Sequence, residues 1–255
     1  MAGSTIGAQM YTLRDHLKTP ADIAATCKKV REMGYEAIQV SAFGPIDPPD
    51  LAKILDSEGL TCAATHVGLD MMKDVQKCLD YHNTLKCKYT AIGGHNTDSK
   101  ANWVEFAKTF TDIADKLAEH GLTVGYHNHS HELMRYEGET ALDLLIENCG
   151  QSVWFEVDTY WIAHGGGDPA AYIEKVGASG ADRLPCVHYK DMVMGEGRTH
   201  KMCEVGTGNL NWPRINDACK KANVKWYLVE RDSGDLDPFE SLKISFDNMK
   251  AMGIN

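Results

Sequence analysis

Apolar positions along this chain recur with two periods that take turns. Strand-length runs begin near Ile6 (IGAQMY), Tyr35 (YEAIQVS), Leu60 (LTCAATHVG), Lys88 (KYTAIGG), Leu122 (LTVGYHNH), Ser152 (SVWFEVD), Leu184 (LPCVHYKD) and Lys225 (KWYLVERD). Each is followed by a stretch with helical spacing: 20–33, 48–57, 71–86, 101–119, 140–148, 169–175, 213–222 and 238–252. In the last, Phe239, Leu242, Phe246, Met249 and Met252 recur at intervals that place them on one helical face. Punctuation agrees with this division. Thr19-Pro20, Asp168-Pro169 and Asp237-Pro238 each join a capping side chain to a residue whose φ already suits a helix. Gly34, Gly59, Gly121 and Gly253 follow helical stretches, where a left-handed residue closes the last turn. Alternating strand and helix units of this kind predict a single (β/α)8 barrel spanning 1–255. A doubly wound open sheet is the competing layout, but its Gly-rich dinucleotide turn is missing after strand one, which ends Gln9-Met10-Tyr11-Thr12.

A barrel assembles its active site at the C-terminal ends of its strands, so the polar residues there carry the functional reading. They are Gln9 and Tyr11; Gln39 and Ser41; His66; His95; His127, Asn128, His129 and Glu132; Glu156 and Asp158; His188, Lys190 and Asp191; and Glu230 and Asp232. Period-two alternation puts Val153, Phe155 and Val157 on the helix-facing side of strand six, leaving Glu156 and Asp158 to face the interior. Cys186, His188 and Lys190 share a face in strand seven, as do Trp226, Leu228, Glu230 and Asp232 in strand eight. Charges inside a barrel are expensive unless paired or bound to metal. Glu132, Asp158, His188 and Glu230 come from four consecutive strand ends and combine three carboxylates with one imidazole. That set suits one divalent cation, with Mn2+ foremost and Mg2+, Co2+ or Zn2+ as alternatives. Plainer roles compete for the others. Glu156 could pair with Lys190, His131 and His200 could be solvated loop residues, and Asp191 and Asp232 could cap turns.

Composition narrows the partners. The 255-residue chain is 43% hydrophobic and carries a formal charge of −10. It has no cationic stripe with which to displace counterions from nucleic acid. Its longest apolar runs fall well short of the ~20 residues that span a bilayer. The start, Met1-Ala2-Gly3-Ser4-Thr5, lacks the regions of a secretory leader. The eight cysteines form no C-x-x-C pair and mostly occupy apolar positions, consistent with buried thiols in a reducing cytoplasm.

The stretches IGAQMYTLRD (6–15), GYHNHSHEL (125–133), FEVDTYW (155–161), VHYKDM (187–192), EVGTGNLNWPRI (204–215) and VERDSGDLDPFESLKISFDNMKAMG (229–253) resemble, in order, the xylose isomerase-like barrel superfamily and its sugar phosphate isomerase/epimerase branch. The resemblance implies one divalent ion held by Glu, Asp, His and Glu from strands five to eight, and Glu132 and Glu230 as catalytic carboxylates on opposite faces of a sugar. It also implies proton abstraction next to a carbonyl through a metal-stabilised enediolate, on a keto-sugar, polyol or glycoside, in a barrel that is often a homo-oligomer. Loss of a β-leaving group from the same intermediate would make a lyase, as in inosose dehydratases. DNA-repair endonucleases of the superfamily use a three-metal cluster and a basic groove, which the negative charge disfavours. Two departures stand out. Strand five ends in His127-Asn128-His129, with Glu132 three residues further on, so either Glu132 reaches back to the metal or His127 or His129 replaces it. A carboxylate that doubles as base and ligand favours Glu132. Trp161 stands where relatives often carry histidine, and could supply a face for sugar stacking. His66, His127, His129, Trp161 and Lys190 are then the substrate-binding candidates. The loop Gly206-Thr207-Gly208-Asn209 could cradle a phosphate through backbone N–H groups.

Overall fold

The computed structural model describes residues 5–254. The Met1–Ser4 segment, on which the reading of the chain start rested, lies outside them. Eight parallel strands close into a barrel: β1 (Thr5–Gln9), β2 (Ala37–Val40), β3 (Thr61–His66), β4 (Tyr89–Ile92), β5 (Thr123–His127), β6 (Val153–Asp158), β7 (Cys186–Tyr189) and β8 (Trp226–Val229). Each strand pairs with the next and β8 closes on β1, with Thr5 opposite Trp226 and Ala8 opposite Val229. The outer ring is α1 (Pro20–Glu32), α2 (Pro48–Glu58), α3 (Val75–Thr84), α4 (Lys100–Ala118), α5 (Ala141–Asn148), α6 (Pro169–Ala178), α7 (Trp212–Lys221) and α8 (Pro238–Ala251).

The helix starts follow from their side chains. Thr19 and Asp22 form a reciprocal capping box on α1, and Asp168 and Asp237 accept from the first N–H groups of α6 and α8. Gly34, Gly59, Gly121 and Gly253 all take positive φ, as closing residues require. Three features escape the periodicity. The stretch 71–86 is broken at Asp74, which ends a short helix, Leu69–Lys73, and caps α3. Residues Thr159–His164 form a helix immediately after β6, capped by Asp158. Residues Asp191–Met194 and His200–Cys203 pair as an antiparallel hairpin over the mouth.

Strand alternation sorts the core into two. Val153, Phe155 and Val157 pack with the helices, whereas Trp154, Cys186 and Leu228 join Ala37, Ala63, Ala64 and Ala91 in a separate apolar plug inside the barrel. Trp154 takes so much of that space that a Cβ on Gly125 would sit 2.3 Å from its ring. The plug seals the lower end, and the polar residues sit above it.

None of the eight cysteines forms a disulfide, and all but Cys203 are buried. No helix among the described residues is long and apolar enough to cross a membrane.

Candidate active site

The first polar layer above the plug is a closed hydrogen-bond network. Gln9 Nε2 donates to Gln39 Oε1 at 2.7 Å. Gln39 Nε2 donates to both oxygens of Glu156, at 2.8 and 3.0 Å. His66 Nε2 donates to Glu156 Oε2 at 2.6 Å. His188 Nε2 donates to Gln39 Oε1 at 2.7 Å and also lies 3.2 Å from Glu156 Oε2. Burial opposes the charge on Glu156, yet His188 and His66 hold its carboxyl well below the ordinary carboxylate range. Glu156 therefore pairs with these histidines, not with Lys190 as the sequence suggested. The physical reason is its place one layer deeper, where His66, Gln39 and His188 converge.

The next layer is open. Ligand atoms of His127, Asp158, His188 and Glu230 all lie within 4.8 Å of one another, and all four residues are buried. His188 Nδ1 lies 3.0 Å from Glu230 Oε2 and 3.6 Å from Asp158 Oδ2, and His127 Nε2 lies 3.4 Å from the same Asp158 oxygen. Asp158 presents that oxygen alone because its Oδ1 accepts from the Trp161 N–H at 2.8 Å. Two buried nitrogens, His127 Nδ1 and His188 Nδ1, make no hydrogen bond. Metal–donor bonds near 2.1 Å put neighbouring ligand atoms roughly 3.0–3.4 Å apart, close to the spacing these pairs already show. A buried imidazole nitrogen with no hydrogen bond, set beside two carboxylate oxygens, is what such a site offers a cation. His66, Glu156 and His188 also cluster, but there hydrogen bonds already satisfy the facing atoms.

Lys190 Nζ lies 2.7 Å from Asp232 Oδ2, 3.1 Å from Glu230 Oε2 and 3.7 Å from Asp158 Oδ2. Burial opposes its charge, but Glu230 and Asp158 hold the ammonium on. Glu230 is likewise kept anionic against burial by Lys190 and His188. His188 is driven well above the usual imidazole value, against its burial, by Glu156 and Glu230. Asp232 behaves oppositely: burial and the nearby Glu230 raise it to about 6. Tyr11, Ser41, His66, His127, His129, Lys190, Glu230 and Asp232 line a cavity of about 340 Å3 above the cluster.

The strand-five tip departs from expectation. Glu132 lies in a 3-10 turn, His131–Leu133, and is fully buried away from the cavity. Its Oε1 accepts from Tyr126 Oη at 2.7 Å, and its Oε2 accepts from the His129 N–H at 2.8 Å. The turn carries its carboxylate behind the strand tip, beside Gly94, where a Cβ would lie 3.6 Å from Oε1. Among the expected ligands, the fold thus brings Asp158, His188 and Glu230 together and puts His127 in the fourth place. His129 lines the cavity, its Nδ1 unbonded; burial and the neighbouring His127 lower its pKa to about 3. The Trp161 ring lies tilted against His129, centroids 5.2 Å apart, with Lys190 Nζ 5.0 Å from the Trp161 centroid. His66 lies on the wall, while His95 is stacked on Phe106 at 3.8 Å, away from it. Alternation along β5 favours His127, the alternative ligand the sequence offered, since it shares Gly125's inward face. The same rule applied to Gln9 and Gln39 would have found the network below.

The Gly206–Asn209 loop holds an anion of its own. The N–H groups of Gly206 and Gly208 donate to Asp191 Oδ2 at 2.9 and 3.0 Å, and Trp212 Nε1 joins them at 2.7 Å. Those donors are not free for phosphate, so the expected cradle is filled from within the chain.

A closed parallel barrel with a buried acid–histidine cluster at the carboxyl ends of its strands defines the class. Residues 27–252 match the model of the xylose isomerase-like TIM barrel, and the chain belongs to that family. It is 26% identical over 167 residues to the rhizopine catabolism protein MocC of Rhizobium meliloti, covering 59% of this chain and 50% of that protein. It is 23% identical over 191 residues to an inosose dehydratase of Geobacillus kaustophilus, covering 64% and 60%. The matches thus span half to three-fifths of those relatives' lengths. A sugar phosphate isomerase/epimerase from Parabacteroides distasonis superposes with a TM-score of 0.81 over 98% of this chain and 97% of its own, at 22% identity, a likeness of fold.

Proposed function

We propose that this barrel transfers protons next to the carbonyl of a small carbohydrate, a keto-sugar, polyol or glycoside, as a divalent-metal-dependent isomerase or epimerase. One observation carries the reading. His127, Asp158, His188 and Glu230 converge below a polar cavity with two buried imidazole nitrogens left unbonded. A cation bound there supplies Lewis acidity, which lowers the barrier to ionising a neighbouring C–H.

The chain's own groups do the rest. Glu230 faces the cavity as an anion and is the first proton acceptor, with Lys190 steadying its charge. His66 takes the second proton-handling role expected of Glu132. It lines the same cavity and its Nε2–H is bound by Glu156, which orients the ring. His129, Ser41 and Tyr11 offer polar contacts for sugar hydroxyls, and the Trp161 ring lies tilted beside His129. Returning the proton to the opposite face of the same carbon gives epimerisation; returning it to the adjacent carbon gives isomerisation.

A second reading, β-elimination, is favoured by the withdrawal of Glu132. It leaves one glutamate on the cavity beside a lysine ammonium, a base next to an acid for a departing hydroxide. The similarity to an inosose dehydratase supports this reading.

Incubation in D2O with Mn2+, Co2+ or Zn2+ and a panel of keto-sugars and inososes, with and without chelator, tests both. Deuterium should enter beside the carbonyl and cease to do so on chelation. No exchange in any substrate or product would remove the shared step. Product identity then separates isomer from dehydrated sugar.

A further inference from the structure

We infer that the strand-five metal ligand is the His127 imidazole, with Glu132 serving as a structural tether, and that the site consequently selects a late transition cation such as Co2+ or Zn2+ over Mg2+. The inference rests on the cation site proposed above and adds its selectivity.

Glu132 is held where it is. Both its oxygens accept hydrogen bonds, from Tyr126 Oη and from the His129 N–H, and His131 Nε2 stands 3.2 Å from Oε1. Swinging the carboxylate into the cluster would leave the His129 N–H without an acceptor and the buried Tyr126 hydroxyl with only the His95 carbonyl, at 3.5 Å, to donate to, a costly exchange. His127 needs no such movement, since it already lies within the 4.8 Å group.

The donor set that results is two imidazoles and two carboxylates. Mg2+ draws most of its binding energy from hard, anionic oxygen and keeps its water tightly. Late first-row cations gain more from imidazole nitrogen. Charge acts in the same direction. Two carboxylates carry −2, and the Lys190 ammonium, 3.1 Å from one and 3.7 Å from the other, offsets part of it. Attraction that depends on charge alone is weakened, whereas the nitrogen bonds are not. Gln39 reinforces this: because it accepts from His188 Nε2–H, the ring is oriented with Nδ1 toward the carboxylates.

The test is direct binding. Chelator-stripped protein is titrated calorimetrically with Co2+, Zn2+, Mn2+ and Mg2+, and the Co2+ absorption spectrum is recorded. Co2+ and Zn2+ should bind at least a thousandfold more tightly than Mg2+. H127A should lower Co2+ affinity at least tenfold and alter the spectrum, H127E should narrow the Co2+/Mg2+ ratio at least tenfold, and E132Q should leave affinity within threefold. Circular dichroism confirms that each variant is folded. A tenfold loss in folded E132Q, or a ratio unmoved by H127E, overturns the inference while leaving the proposed proton transfer intact. Failure of every cation to bind overturns both.

Discussion

Gln39 Nε2 donates to both carboxylate oxygens of Glu156, and this one contact sets the polarity of the whole interior. A carboxylate can only accept, so the amide nitrogen must face Glu156 and the amide oxygen must face His188 and Gln9. His188 then keeps a proton on Nε2, and Nδ1 looks upward.

Gln39→Leu should therefore affect more than stability. It removes the donor nitrogen shared by both Glu156 oxygens and frees the His188 ring to turn. Metal affinity should fall about 10- to 100-fold, the usual effect of losing a partner that orients a ligand, measured by calorimetry on folded protein. Stability should fall by about 1–3 kcal/mol from the hydrogen bonds lost at Glu156 and the buried donors of Gln9 and His188 left without their acceptor, measured by urea denaturation. A variant with unchanged cation affinity would show that Gln39 does not orient the His188 ring for binding.

His188 makes a second, independent prediction. Glu156 and Glu230 push its pKa up despite burial, which favours a ring protonated on Nδ1 as well as Nε2 where no cation is bound. A cation at Nδ1 takes the place of that proton. Binding should therefore release protons at neutral pH, seen as a heat of binding that changes with the ionisation enthalpy of the buffer. Heats identical in phosphate and Tris would mean that no proton leaves Nδ1 on binding.

The barrel was legible in the chain because eight strand runs, their caps and their closing glycines all repeat one unit, and the inward faces of β6, β7 and β8 followed from parity alone. Glu132 was not, because parity ends with the strand. Three residues on, a 3-10 turn decides where its carboxylate goes, and hydrogen bonds from Tyr126 and His129 decide where it stays. Asp191 was read as a turn cap, but it gathers donors from as far away as Trp212, a long-range convergence that no local pattern carries. The pairing of Lys190 with Asp232 and Glu230 instead of Glu156 depends on depth along the barrel axis, and alternation reports only the side a residue faces.

Asp191 yields a prediction of its own. Its Oδ2 accepts from the Gly206 and Gly208 N–H groups and from Trp212 Nε1. Asp191→Ala leaves these partly buried donors without an acceptor, and stability should fall by roughly 2–4 kcal/mol given the charged acceptor lost. Inorganic phosphate should have little effect on wild-type melting temperature but should raise that of the variant. Equal effects on the two proteins would mean that phosphate does not enter the vacated position.

Gly125 tests the apolar plug. Gly125→Ala drives a methyl against the Trp154 ring, and overpacking of this kind costs about 1–3 kcal/mol. Trp154→Leu makes a cavity when introduced alone. Combined with Gly125→Ala, it should lose less than the two single changes added together, because the methyl occupies space the indole gave up. Strict additivity in urea denaturation would show that the two residues do not compete for space.

Asp232 provides a pH signature with a definite sign. Burial and the neighbouring Glu230 raise its carboxyl from 3.8 to about 6 in the folded chain, against the pull of Lys190. Between those values the folded state holds a proton that the unfolded state has released. Stability must therefore fall as pH rises from about 4 to about 6 through this group, and change little from it beyond. Asp158, Glu156 and Glu230 are depressed instead, so their contribution is lost as pH drops toward and below 4. The two effects oppose each other in wild-type protein, and the useful quantity is the difference from Asp232→Asn, which cannot titrate. In chelated protein, the wild-type advantage over the variant should shrink between pH 4 and pH 6, read from denaturation midpoints at several pH values. A difference independent of pH would place the Asp232 carboxyl at its ordinary value.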